Sequence, residues 1–165
     1  MSEENRKKEI AALWKEVFGD SDEFINTYMD NFYCIGNVLS IEHKEHLISM
    51  LHIIPFTIKD YKVAYIYAVA TSPKERGKGY ASLLIEGAIK EAKERGFSAI
   101  LTIPANKGIR DYYSTFGFNG EFPVKFENRV DFDFGTGEKD KDIAMAIFLD
   151  SCIEMHTDEK TLLKI

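Results

Sequence analysis

The chain has 165 residues, the size of one domain, and a domain this long buries roughly 70% of the surface that its unfolded chain exposes. With 45% hydrophobic, 29% charged and 13% aromatic residues it is not a disordered chain, and its net charge of −6 argues against nucleic acid as the main partner. No apolar run is long enough to span a membrane, and no apolar signal core follows the polar Met1-Ser2-Glu3-Glu4 start, so a cytoplasmic protein is expected. Cys34 and Cys152 are too few for a disulfide framework and read as buried thiols.

Ile10, Leu13, Trp14, Val17 and Phe18 recur at helical spacing up to Gly19. Asp20 with Glu23 then reads as a helix start, Phe24, Ile25, Tyr28, Met29 and Phe32 line the face of a second helix, and Gly36-Asn37 closes it. From Val38 to Glu42 and from Leu47 to Ile54 the pattern predicts a hairpin around His43-Lys44-Glu45-His46, with Pro55 ending it. Tyr61 to Ala70 is apolar on both alternating faces except at Lys62, as a covered central strand would be.

Gly79 to Arg95 carries the clearest helical pattern, with Ala81, Leu84, Ile85, Ala88 and Ala92 on one face and Gly96 as its cap. Phe97 to Ile103 follows as a buried strand broken by Pro104, and Asn106 to Phe116 as a short helix ending at Gly117. Val124, Phe126, Phe132 and Phe134 alternate with polar residues, and Ile143 to Leu149 is again apolar; these read as antiparallel strands around the polar stretch from Gly135 to Asp142. No pattern is legible in the last dozen residues. The order is α-α-β-β-β-α-β-α-β-β, and without a repeat or linker one domain over 1–165 is expected.

The loop before the clearest helix, Ser72-Pro73-Lys74-Glu75-Arg76-Gly77-Lys78-Gly79, joins turn-forming glycines to three basic side chains. Glycine lets a backbone turn tightly and approach a ligand. A helix N-terminus supplies unpaired N–H groups and a partial positive charge, so the combination suits a diphosphate. It is not a P-loop, because Gly79 follows Lys78 where Ser or Thr is needed, and not a dinucleotide fingerprint, because Ser82 stands at the third glycine position. An ordinary solvated turn is the plain alternative.

Arg76-Gly77-Lys78-Gly79-Tyr80-Ala81 resembles the Arg/Gln-x-x-Gly-x-Gly/Ala signature of the GNAT superfamily of N-acetyltransferases. Asn106, then Tyr113 seven residues on, then Gly117-Phe118, resembles that family's second signature, and one helix and one strand separate the two. The resemblance runs from about residue 38 to residue 118. It departs at the start, where the family usually has a strand before the first helix, and at Ile109, where Ala is usual.

The resemblance implies an α/β (α+β) fold, a mixed, mainly antiparallel sheet flanked by helices. It also implies an enzyme that transfers acetyl from acetyl-coenzyme A to a primary amine by direct attack, without a metal. Backbone groups of Val69, Ala70 and Thr71 would bind the pantetheine arm as a neighbouring strand does, one amide also polarising the thioester carbonyl. Amides of Arg76, Gly77, Lys78, Gly79, Tyr80 and Ala81 would hold the pyrophosphate, and Asn106 would hydrogen-bond the arm.

Tyr113 is the implied catalytic group at the leaving thiolate. No acid stands between Tyr61 and Ala70, where several members carry a glutamate base, which leaves Glu42, His43, His46, His52, Asp60 and Glu121 as candidates. A small-molecule or peptide amine is the implied acceptor, on a monomer or homodimer. A non-catalytic acyl-CoA-binding domain and a transferase for another acyl-CoA stay open.

Overall fold

Two serine side chains start the helices that open the chain. In the computed structural model, which describes residues 1–137, 141–151, 153 and 160–165, Ser2 caps α1 (Glu3–Phe18) by accepting from the Asn5 amide. Ser21 caps α2 (Asp22–Asn31) by accepting from Phe24. The expected start at Asp20 is displaced by one residue because the Asp20 carboxylate accepts from Trp14 Nε1 at 2.8 Å. Helix α2 also stops short of Gly36-Asn37, which belong to a separate 3₁₀ turn, Ile35–Asn37.

Strands β1 (Val38–His43), β2 (His46–Ile58) and β3 (Tyr61–Thr71) follow, then α3 (Tyr80–Glu94), β4 (Ala99–Thr102), α4 (Lys107–Ser114), β5 (Gly120–Glu127), β6 (Ile143–Phe148) and β7 (Thr161–Lys164). They form a mixed, mainly antiparallel sheet flanked by helices, with strand order β1-β2-β3-β4-β6-β5-β7 and a further pairing of β2 with β7. The element order is the expected one with β7 added, a strand too short to leave a period in the sequence. By their contacts the residues fall into two units, Met1–Ile54 with Tyr67–Ala88, and Pro55–Ile66 with Ile89–Ile165.

In the first unit β1 and β2 form an antiparallel hairpin closed at His43–His46, with positive φ at both Lys44 and Glu45, the backbone of a two-residue turn that suits strand twist. Its core packs Trp14 against Tyr28, His52 and Tyr67, with ring centroids 4.9, 5.6 and 5.6 Å away. The His52 ring is buried, and its Nδ1 lies 2.7 Å from the Tyr28 hydroxyl. Cys34, expected in the core, is exposed. The expectation for Cys152 falls outside the described residues.

In the second unit β4 pairs in parallel with β3 and antiparallel with β6, β6 pairs antiparallel with β5, and β5 in parallel with β7. Pro55 does not end β2. It falls between His52, the last residue paired with β1, and Thr57, paired with β7, so its missing N–H costs no rung of either ladder. Phe132 and Phe134 are buried as expected but outside any strand; the Tyr65 hydroxyl donates to the Phe134 carbonyl at 2.7 Å and satisfies that irregular backbone. Gly96, at φ 70°, ends α3, with the Gly96 amide on the Lys93 carbonyl and the Phe97 amide on that of Ala92.

Burial pushes the His52 pKa down to about 3. The unfolded chain, with a histidine near 6.5, therefore binds the proton that the folded chain refuses, and stability falls as pH drops from about 6.5 toward 3. Melting temperatures across that window should fall more steeply for the wild type than for His52→Asn, which keeps an acceptor for Tyr28 and has nothing to titrate. Parallel curves would remove His52 as the cause.

Candidate active site

The first unit carries the whole of the loop singled out by sequence. Strand β3 ends at Thr71, a 3₁₀ turn covers Pro73–Glu75, and α3 begins at Tyr80. Gly77 and Gly79 have φ of 78° and 81°, with no atom within 4 Å of where a Cβ would stand, so the conformation demands glycine and leaves open space over the backbone. The Leu83 amide bonds to the Gly79 carbonyl as the first helical bond. The Tyr80 and Ala81 amides thus head α3, where no intrahelical acceptor exists.

The basic side chains are partly committed. Lys78 donates to Glu75 at 2.7 Å, which raises its pKa, and Arg76 Nε donates to the Thr71 carbonyl at 3.2 Å. The positive character of the loop therefore rests on the helix end and Lys74 as well as on these two.

Strand β3 contains a feature the sequence does not announce. Ala68 has φ of 50°, a left-handed backbone inside a strand, which costs an alanine about 1–2 kcal/mol. Among the described residues β4 pairs with β3 at Val63, Ala64 and Tyr65, and β3 continues through the turn at Ala68 to Thr71. Ala70 is buried, and Val69 and Thr71 are half-buried. The strand expected to be covered on both faces is so only from Val63 to Ile66.

Asn106 and Tyr113 belong to the second unit, on one segment. Asn106 Oδ1 accepts from the Ile109 amide at 3.0 Å and caps α4, so only its Nδ2 amide is left to donate to a ligand. Tyr113 is buried, 6% exposed, between the rings of Tyr112 and Phe118, and its hydroxyl hydrogen-bonds the side chain of buried Thr102. Burial raises its pKa to about 12, against the opposing effect of the Thr102 hydrogen bond. Thr102 and Ala68 belong to the candidate site and were missed by sequence reasoning; the signal for Thr102 was a hydroxyl at the end of an apolar strand.

The candidate bases fare unevenly. Glu42 pairs with Arg6 at 2.6 Å, and Glu121 forms a two-point ion pair with Arg110. His46 stands 3.7 Å from Glu9 on the exposed hairpin, His43 is exposed at the end of β1, and Asp60 is an exposed turn residue. His52, held neutral by burial, is a weak base with a pKa of about 3. Among the described residues no group of three or more His, Cys, Asp or Glu side chains could hold a metal ion, and no helix is long and apolar enough to cross a membrane.

The model of the acetyltransferase (GNAT) domain matches residues 2–120. The chain belongs to the GNAT family. Its fold is that of solved GNAT structures at low identity. A GNAT acetyltransferase from Brucella melitensis in complex with acetyl-CoA aligns with a TM-score of 0.65 at 13% identity, over 98% of this chain and 90% of that one. A GNAT N-acetyltransferase from Escherichia coli in complex with CoA aligns with a TM-score of 0.64 at 18% identity, over 96% and 83%. A GCN5-related N-acetyltransferase from Anabaena variabilis aligns at 0.57 and 21% identity over 75% of this chain, which spans only 31% of that relative's length. At the level of sequence no curated protein matches the chain.

Within this GNAT domain, φ rather than crowding sets the cost of replacing Gly79. Gly79→Ala should destabilise by about 1 kcal/mol and Gly79→Asn by less, because Asn tolerates the left-handed region. Denaturant midpoints of the two variants check this, and equal losses would contradict it.

Proposed function

We propose that this GNAT protein transfers the acetyl group of acetyl-coenzyme A to a primary amine by direct attack. The observation that carries the reading is the end of β3, turned at Ala68, continuing past its β4 partners and leading into the glycine loop and the head of α3. An extended pantetheine arm would take the backbone groups of Val69, Ala70 and Thr71 as an added strand does. The pyrophosphate would take the amides from Arg76 to Ala81 over the open Gly77 and Gly79. Complexes of the Escherichia coli and Brucella relatives with CoA and acetyl-CoA support the choice of donor.

The amine lone pair attacks the thioester carbonyl, a C–N bond forms, and the C–S bond breaks. An amide at the end of β3 meets the negative charge that develops on the carbonyl oxygen. Tyr113, with a pKa of about 12, would surrender its proton to a thiolate near 8.5 at a cost of about 5 kcal/mol. It therefore keeps the proton and stabilises the leaving sulfur by a hydrogen bond, its hydroxyl oriented by Thr102. Asn106 Nδ2 donates to the arm. With no acid on β3 and Glu42 and Glu121 held in ion pairs, the amine proton leaves to water. The acceptor is a small-molecule or peptide amine, and the reading assumes a cytoplasmic monomer or homodimer.

A second reading, a domain that binds acyl-CoA without turning it over, is favoured by those occupied carboxylates. Both readings require acetyl-CoA at a hundredfold excess over Kd to stabilise the protein by about 2.7 kcal/mol, raising Tm by roughly 5–10 °C. Thiol release with a panel of amines separates them, since only the enzyme releases CoA in step with amine. Tyr113→Phe should then lower kcat by roughly 10- to 100-fold with acetyl-CoA affinity unchanged. The wild-type rate should show no loss from Tyr113 ionisation up to about pH 10. Absence of any melting shift at millimolar acetyl-CoA would sink both readings.

A further inference from the structure

Ser49 is a fully buried hydroxyl in β2, followed by the fully buried Met50 and Leu51, where an unpaired hydroxyl would be costly. It lies 3.1 Å from the Ala70 carbonyl and 2.8 Å from Thr71 Oγ1, and the Ser72 amide donates to the carbonyl of Ile48 beside it. The direction of these bonds follows from the count of hydrogens. A carbonyl has none to give, so the single Ser49 proton goes to Ala70, and the Thr71 proton must go to Ser49. Arg76 Nε occupies the Thr71 carbonyl from the loop side. Thr71 Oγ1, half-buried at the end of β3, has thus spent its proton and can only accept.

We infer that Ser49 is a positioning residue that, through this buried hydroxyl pair, fixes the end of β3 and makes Thr71 Oγ1 an acceptor selective for an N–H donor of the acyl carrier's arm. The inference rests on the reading above that Val69, Ala70 and Thr71 take the pantetheine arm, which carries amide N–H groups. Without Ser49 the Ala70 carbonyl loses the hydroxyl that donates to it and the Thr71 hydroxyl turns, presenting a proton where the ligand also presents one.

The test is calorimetric titration of wild type, Ser49→Ala, Thr71→Val, Thr71→Ser and the Ser49→Ala/Thr71→Val double variant. The two probes are CoA and S-acetylpantetheine, which has the arm without the diphosphate. Ser49→Ala and Thr71→Val should each weaken both probes by about tenfold. The double variant should be no weaker than either single one, because both remove the same relay. Thr71→Ser should bind like the wild type, whereas Gly79→Val should lose CoA and keep S-acetylpantetheine.

A wild type that binds neither probe overturns the functional reading and this inference with it. A wild type that binds both while Ser49→Ala binds equally well overturns the inference alone, even if Ser49→Ala melts lower. Should Ser49→Ala fail to fold, the near-isosteric Thr71→Val decides, and unchanged affinity for S-acetylpantetheine overturns the inference.

Discussion

The organisation of the end of β3 depends on one unfavourable backbone torsion. Ala68 holds a left-handed φ in the middle of β3, a conformation that an alanine adopts only when its surroundings over-determine it. The surroundings here include hydrogen bonds on both sides of the strand end, from the Ser49 hydroxyl to the Ala70 carbonyl and from Arg76 to that of Thr71. The backbone beyond Ala68 is thereby held in an extended run that leads into the glycine loop, and the two left-handed glycines carry the chain to the start of α3.

A second theme is the use of burial to keep titratable groups neutral. His52 and Tyr113 both sit among aromatic rings and both are driven away from neutral pH, the histidine downward and the tyrosine upward. The consequences differ. His52 joins the core of the first unit through the Tyr28 hydroxyl, leaves its Nε2 without a partner among the described residues, and brings an acid sensitivity to the fold. On the proposed reading Tyr113 would act as a hydrogen-bond donor rather than a proton source, because burial holds its proton. A phenol at its ordinary pKa would sit far closer to the leaving thiol.

Legibility in the sequence follows the range of the interaction. Gly19, Gly96 and the apolar face of α3 are local signals, and their elements stand where the spacing puts them. Errors arise where a distant or competing partner decides. Asp20 reads as a helix cap until Trp14 claims its carboxylate, and Pro55 reads as a strand end until its place between two ladders is seen. Phe132 and Phe134 alternate like strand residues, yet their burial is secured by aromatic packing and the Tyr65 hydroxyl rather than by a ladder.

The sequence by itself determined the family, the order of all elements but β7, and the loop between β3 and α3, because glycine spacing and helical periodicity are short-range properties written residue by residue. It pointed to Asn106 and Tyr113 through their resemblance to the family's second signature. Only the tertiary structure decided that Asn106 spends its Oδ1 on capping α4, that Tyr113 is buried against Thr102, and that the candidate carboxylates Glu42 and Glu121 are held by arginines. Ala68 and Ser49 were decided there too. An alanine leaves no compositional mark of a positive φ, and a lone serine in an apolar strand does not say which backbone carbonyl it will meet.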